Sequence, residues 1–143
     1  VQQPSGAKFD ANLDFYSRKH DLAILAVKGM KDYAKPISIN LKTNLNVGQP
    51  VYAIGSPIGL DHSLTAGVIS ALRETYLQTD ATIHSGSSGG PLIDQYGSLC
   101  AVVTKGHKTK DYGFALYSDI ILDVLKEREQ MKIDPTPEAS GRK

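Results

Sequence analysis

Gly86-Ser87-Ser88-Gly89-Gly90-Pro91 holds too little side chain for packing to fix it as a helix or a strand. Its three glycines admit φ values that other residues avoid, and they let a second backbone come close. Ordering such a run costs conformational entropy, which points to a geometry the site requires. One geometry that fits presents Ser88 outward while surrounding backbone N–H groups converge on a point able to hold an oxyanion. The plainer reading is a flexible Ser/Gly linker. The neighbours decide between the two. Tyr76-Leu77-Gln78-Thr79-Asp80-Ala81 precedes the run, and Leu92-Ile93 and the strand-like Leu99 to Thr104 follow it. A turn clasped between strands is not a linker.

Working outward, short strand signals recur at roughly ten-residue spacing. Phe9, Ala11, Leu13 and Phe15 alternate with Lys8, Asp10, Asn12 and Asp14, the period of a half-buried strand. After a polar turn at Ser17-Arg18-Lys19-His20, Asp21 opens Leu22-Ala23-Ile24-Leu25-Ala26-Val27, a run suited to a buried strand. The two read as a hairpin. Asp21 sits where a carboxylate can be shielded and still face a cleft, or where it simply caps a turn in solvent. Further strands are expected at Ile37-Ser38-Ile39, Val51 to Gly55, Leu64 to Leu72, Thr75 to Thr79, Pro91 to Ile93, Leu99 to Thr104 and Tyr112 to Tyr117. Gly67 marks a bulge or a close-packing point. The loops are Ser56-Pro57-Ile58-Gly59-Leu60, the hairpin turn Asp94-Gln95-Tyr96-Gly97 and the charged stretch Lys105 to Asp111. This pattern predicts an all-β sandwich or barrel. One helix closes it: Ser118 is a suitable N-cap, and Ile120, Ile121, Val124, Leu125 and Met131 share a helical face. A Pro/Ser/Gly tail follows.

The 143 residues make about one domain, with 41% hydrophobic residues and no apolar run near bilayer length. A net charge of +1 with scattered lysines gives no footprint for nucleic acid or a membrane surface. The single cysteine, Cys100, lies in Leu99-Cys100-Ala101-Val102-Val103 and reads as a small core residue. The histidines and the cysteine lack metal-ligand spacing, so no metal and no cofactor is expected. The Gly86 run leads into Pro91 and a strand rather than a helix, which excludes a phosphate-cradling loop.

In order, the pieces resemble the trypsin-like serine proteases and, within them, the HtrA family. The resemblance is carried by Gly6 to Leu25, by Val47-Gly48-Gln49-Pro50-Val51-Tyr52-Ala53-Ile54-Gly55-Ser56-Pro57-Ile58-Gly59-Leu60, and by Thr65-Ala66-Gly67-Val68-Ile69-Ser70-Ala71. Gln78-Thr79-Asp80-Ala81, Gly86 to Leu92 and Gly113-Phe114-Ala115-Leu116 complete it. It covers about residues 6 to 132 and implies a trypsin-like Greek-key β-barrel with a C-terminal α-helix. It further implies three segments: a terminal hairpin of a first barrel (1–28), a second barrel with its closing helix (29–132), and a tail or linker (133–143).

The resemblance also assigns roles. Ser88 would be the acylating nucleophile and Asp21 the acid that orients a general-base histidine. The oxyanion hole would be the N–H groups of Gly86 and Ser88. Thr82, six residues before Ser88, would sit at the base of the specificity pocket, with Ile83 beside it. Both are uncharged, which favours a small or medium apolar substrate side chain. Val102, Val103 and Thr104 would form the pocket wall and the edge on which an extended polypeptide substrate pairs.

Two departures stand out. Ser87 replaces the family's asparagine, and the family's histidine segment, which lies upstream of the aspartate, has no counterpart here. His20, adjacent to Asp21, would point away from it in an extended chain, and His62, His84 and His107 lie in loops. All four are expected at the surface. The implied parent is an HtrA-type endopeptidase acting on unfolded or damaged proteins outside the cytoplasm, and these 143 residues alone are expected to be a very poor peptidase. The alternative is a non-catalytic peptide-binding module on the same fold. An uncovered hairpin is expected to expose apolar faces and to favour homo-oligomers.

Overall fold

The computed structural model describes residues 1, 6–31, 33–56, 63–106 and 112–133. Among the described residues, eight strands form two sheets. β1 (Ala11–Ser17) and β2 (Leu22–Val27) make a two-stranded antiparallel ribbon. The other six are β3 (Pro50–Gly55), β4 (Ser63–Leu72), β5 (Tyr76–Thr79), β6 (Pro91–Asp94), β7 (Leu99–Gly106) and β8 (Gly113–Tyr117). They close into an antiparallel barrel in the order β3-β4-β5-β8-β7-β6. An α-helix, α1 (Asp119–Ile133), follows, and a short 3-10 turn (Lys42–Asn44) precedes the barrel.

The barrel exists because alternate residues of each strand face one side. Val51 and Ala53, Ile69, Leu77, Leu92, Ala101 and Val103, and Ala115 and Tyr117 all point inward and pack as one core with Leu45 and Cys100. Burying a side chain such as Leu92 contributes about 1.5–3 kcal/mol. Closure leaves few strand edges exposed. Because β5 and β6 lie in different parts of the barrel order, residues 80–90 must cross between them. That crossing carries Ser88.

Several expectations change. Ile37-Ser38-Ile39 is not a strand: only Ile39 bridges Leu99, with Leu99 N donating to Ser38 O and Asn40 N to Leu99 O. β2 is not buried. Its residues are half-buried or exposed, and Leu25 is 51% exposed opposite a still more exposed Leu13, because no second sheet covers the ribbon among the described residues. The alternation in β1 also breaks at a register shift between Leu13 and Phe15. Gly67 is a close-packing point, since a Cβ there would overlap Ala81 N. On α1, Val124 is buried but Leu125 and Met131 are exposed. The Ser118 hydroxyl ties the start of α1 to Asn40 O (2.6 Å) instead of turning back on its own helix.

Among the described residues, buried polar side-chain groups are hydrogen-bonded apart from His20 Nε2 and Arg128 Nε, each of which instead faces a carboxylate. The Asp94 carboxylate accepts from Tyr96 N and Ser98 N, both at 2.9 Å, and from Asn40 Nδ2 at 3.0 Å. That bracing fixes the β6–β7 turn. Tyr117 OH donates to Arg73 O, and Lys42 Nζ lies 4.4 Å from the Tyr117 ring centre while donating to Arg73 O and Glu74 O.

Candidate active site

The Ser88 turn is held by its backbone. Gly89 N donates to Val103 O (2.8 Å) and Val103 N to Gly90 O (2.9 Å), which staples the turn to β7. Ser87 N donates to His84 O and Gly90 N to Ser87 O, closing two consecutive tight turns. The glycines divide the work. Gly86 (φ +97°) and Gly89 (φ +85°) take left-handed conformations that a Cβ disfavours, and Gly90 lies so close to Ile54 O that a Cβ would overlap it. Ser87, in place of the family's asparagine, is buried against Gly55.

This leaves Ser88 exposed, with its Oγ donating to Thr104 O at 2.8 Å. Among the described residues, neither Gly86 N nor Ser88 N has a hydrogen-bond acceptor. Two unpaired N–H groups flanking an exposed hydroxyl are donors suited to an oxyanion.

The segment before the turn is fastened to β4. Asp80 Oδ1 accepts from Val68 N (2.6 Å), Thr79 Oγ1 donates to Val68 O (2.8 Å), and Thr65 Oγ1 donates to Thr82 O (2.8 Å). Thr82 is therefore held by its carbonyl with its residue exposed. Ile83 is half-buried against the core and against Gly113, where any Cβ would collide with it. Val102 is half-buried, whereas the Val103 side chain is in the core, so Val103 offers the site its backbone. Thr104 Oγ1 donates to Phe114 O. β7 pairs with β6 only as far as Val102, then with Gly89 and Gly90 through Val103, while its pairing with β8 continues to Gly106. From Thr104 onward one edge of β7 has no strand partner among the described residues, Thr104 O being taken by the Ser88 hydroxyl.

Asp21 ends the β1–β2 turn with φ +50°, and its Oδ1 accepts from Tyr16 OH at 2.8 Å. That hydrogen bond, followed by the repulsion between the carboxylate and a phenolate, raises the Tyr16 pKa above its usual value. No hydrogen bond joins Asp21 to Ser88 among the described residues. His20 is not a free surface side chain. Its Nε2 lies 3.4 Å from Glu127 Oε1, because α1 packs on β1 at this point. His84 is exposed, and His62 and His107 lie outside the described residues. Glu127 and Arg128 belong to this region but were not read as site residues from sequence, since the apolar periodicity of α1 draws attention to other positions. Among the described residues no group of His, Cys, Asp or Glu is arranged to hold a metal, and no helix is long and apolar enough to cross a membrane.

The model of the trypsin-like peptidase domain matches residues 1–102. Protease Do-like 1, chloroplastic, of Arabidopsis thaliana is 42% identical over 135 residues, covering 83% of this chain and 31% of that protein. A probable periplasmic serine endoprotease DegP-like of Halomonas elongata is 36% identical over 139 residues, covering 89% of this chain and 29% of its own length. The chain thus spans under a third of these relatives. The crystal structure of the serine endoprotease from Yersinia pestis superposes with a TM-score of 0.81 at 32% identity, covering 90% of this chain and 47% of that one. The HtrA-type protease AlgW with decapeptide also gives 0.81, at 27% identity. The closed barrel, the stapled serine turn and these matches agree: the chain belongs to the trypsin-like peptidase family, in its HtrA and Do-like branch.

Proposed function

We propose that Ser88 is the nucleophile of an HtrA-type serine endopeptidase, with Asp21 as its triad acid and Gly86 N and Ser88 N as its oxyanion hole. The observation that carries this is the pair of unpaired N–H groups flanking an exposed hydroxyl on a backbone-stapled turn. In the reaction Ser88 Oγ would leave Thr104 O, pass its proton to an imidazole and attack a peptide carbonyl, whose oxygen the two N–H groups would receive. Thr82 and Ile83 would line the pocket for a small or medium apolar side chain. The open edge of β7 from Thr104 would pair with the extended substrate.

None of the four histidines is read as the base: His20 is engaged by Glu127, and His84, His62 and His107 are read as loop residues. These 143 residues alone are therefore expected to hydrolyse peptides very poorly. We read residues 1–28 as part of one barrel, 29–132 as a second with its helix, and 133–143 as a tail or linker. Damaged or unfolded polypeptides are the substrates proposed, in an extracytoplasmic compartment, in line with the periplasmic and chloroplastic names of the relatives. The Ser88–Thr104 hydrogen bond favours a second reading, a peptide-binding module whose serine does not react.

A fluorescent fluorophosphonate, read at Ser88 by mass spectrometry against Ser88→Ala, separates the readings. A version of the chain extended upstream through a histidine-bearing segment is expected to label, and the 143-residue chain is not. Silence from both would support the binding module. Labelling of the shorter chain would overturn the account of its missing base.

A further inference from the structure

We propose that Glu127 of α1 is a positioning residue for the turn that carries Asp21, so that the closing helix sets the placement of the triad acid. This rests on the reading of Asp21 given above. The turn leaves β1 at Ser17 and enters β2 at Leu22, and Glu127 grips both of its shoulders. Its Oε2 accepts from Ser17 Oγ at 2.7 Å, and its Oε1 faces His20 Nε2 at 3.4 Å. Ser17 is the one buried residue of the ribbon, and its Oγ also lies 3.4 Å from His20 N, so the three residues form a closed set. The next residue of the helix, Arg128, pairs with Asp14 of β1. Val124, Glu127 and Arg128 share one helix face by their spacing, so the buried Val124 anchors the side that reaches the ribbon.

Within the turn, Asp21 holds a left-handed backbone, tolerated but not preferred by an aspartate, so the surroundings must maintain it. Its carboxylate is fixed by Tyr16 OH. The two residues that Glu127 holds are the chain neighbours of this donor and acceptor: Ser17 follows Tyr16, and His20 precedes Asp21. Loss of Glu127 frees both ends of the Tyr16–Asp21 bond at once. Loss of an exposed charge elsewhere on α1 would free neither.

The raised phenol of Tyr16 provides a reporter. The 143-residue chain would be labelled with carbon-13 at tyrosine Cζ, with Tyr16 assigned through Tyr16→Phe and titrated by NMR. Asp21→Asn is expected to return Tyr16 to an ordinary phenol. Glu127→Ala is expected to produce most of the same drop in a chain whose circular dichroism is unchanged, and Glu127→Gln, which still accepts from Ser17, to keep most of the original value. If Glu127→Ala does not fold, Glu127→Asp, too short to reach both partners, should lower it as well. An unshifted Tyr16 in folded Glu127→Ala or Glu127→Asp overturns the proposal, as does an unshifted Tyr16 in Asp21→Asn. In the upstream-extended chain, Glu127→Ala should lower kcat between about tenfold and a hundredfold with KM unchanged, as expected for a misplaced catalytic group. An unaltered kcat there, beside a crippled Asp21→Asn, also overturns it. An unaltered kcat in Asp21→Asn instead removes the reading of Asp21 as triad acid and leaves the helix–turn coupling to be decided by the titration.

Discussion

The barrel and the ribbon each hold one member of the proposed triad, and they hold it by different physics. In the barrel, five strand-borne aliphatic side chains (Val51, Ile69, Leu77, Leu92 and Val103) are at most 1% exposed, and the Ser88 turn is stapled to that core by backbone bonds. In the ribbon no apolar residue is buried, and the Asp21 turn is held by side-chain contacts from a helix more than a hundred positions away. The seat of Ser88 is therefore a property of one closed core, whereas the seat of Asp21 depends on docking. Docking through a few partly exposed polar contacts is the weaker device.

Paired substitutions probe this contrast most strongly. Leu92→Ala is expected to destabilise the chain by about 2–5 kcal/mol, and Leu25→Ala in the ribbon by less than about 0.5 kcal/mol, both read by urea denaturation. Equal losses would erase the distinction. Gly90→Ala forces a Cβ against Ile54 O and should cost about 1–3 kcal/mol while displacing the serine turn. Its check is the loss of the Gly89 and Val103 backbone bonds by amide NMR.

The smallest effect concerns Cys100. Burial first, and then the Asp94 charge, push its thiol up to about 12 from 9.0. The unfolded chain releases this proton at lower pH than the folded one, so the thiol contributes stability that is complete below about 9 and lost as pH rises towards about 12. Alkylation by iodoacetamide at pH 9 should accordingly be slow in the native chain and fast in urea. Rapid native alkylation would show that the barrel core opens.

Most of the barrel was legible because its signals are local. Short strand-like runs bounded by turn residues placed β3 to β8 to within a few residues, and Gly86-Ser87-Ser88-Gly89-Gly90 read as a special turn only because strands clasp it on both sides. The ribbon was legible as a hairpin, and its exposed apolar faces followed from the family resemblance rather than from its residues, because alternation says which residues share a face and not whether anything covers that face. Leu22 to Val27 shows the difference. The helix was foreseen, yet its useful face was not: Glu127 and Arg128 are ordinary charged residues until tertiary packing sets them against Ser17, His20 and Asp14. Asp94 was read only as a turn residue; two of its hydrogen bonds are local, and the third comes from Asn40, which is remote in sequence. The loops at 57–60 and 107–111 lie outside the described residues.

The central claim is that the serine seat belongs to the barrel and the acid seat to a separately docked ribbon. Native-state hydrogen exchange on the 143-residue chain tests it directly. The amides of Gly89 and Val103 should exchange with the same opening free energy as the core of β3 to β8. The amides of β1 and β2 should open at a lower one, and Arg128→Ala should lower only theirs. A single opening free energy shared by ribbon and barrel, or Gly89 and Val103 opening with the ribbon, would contradict the account.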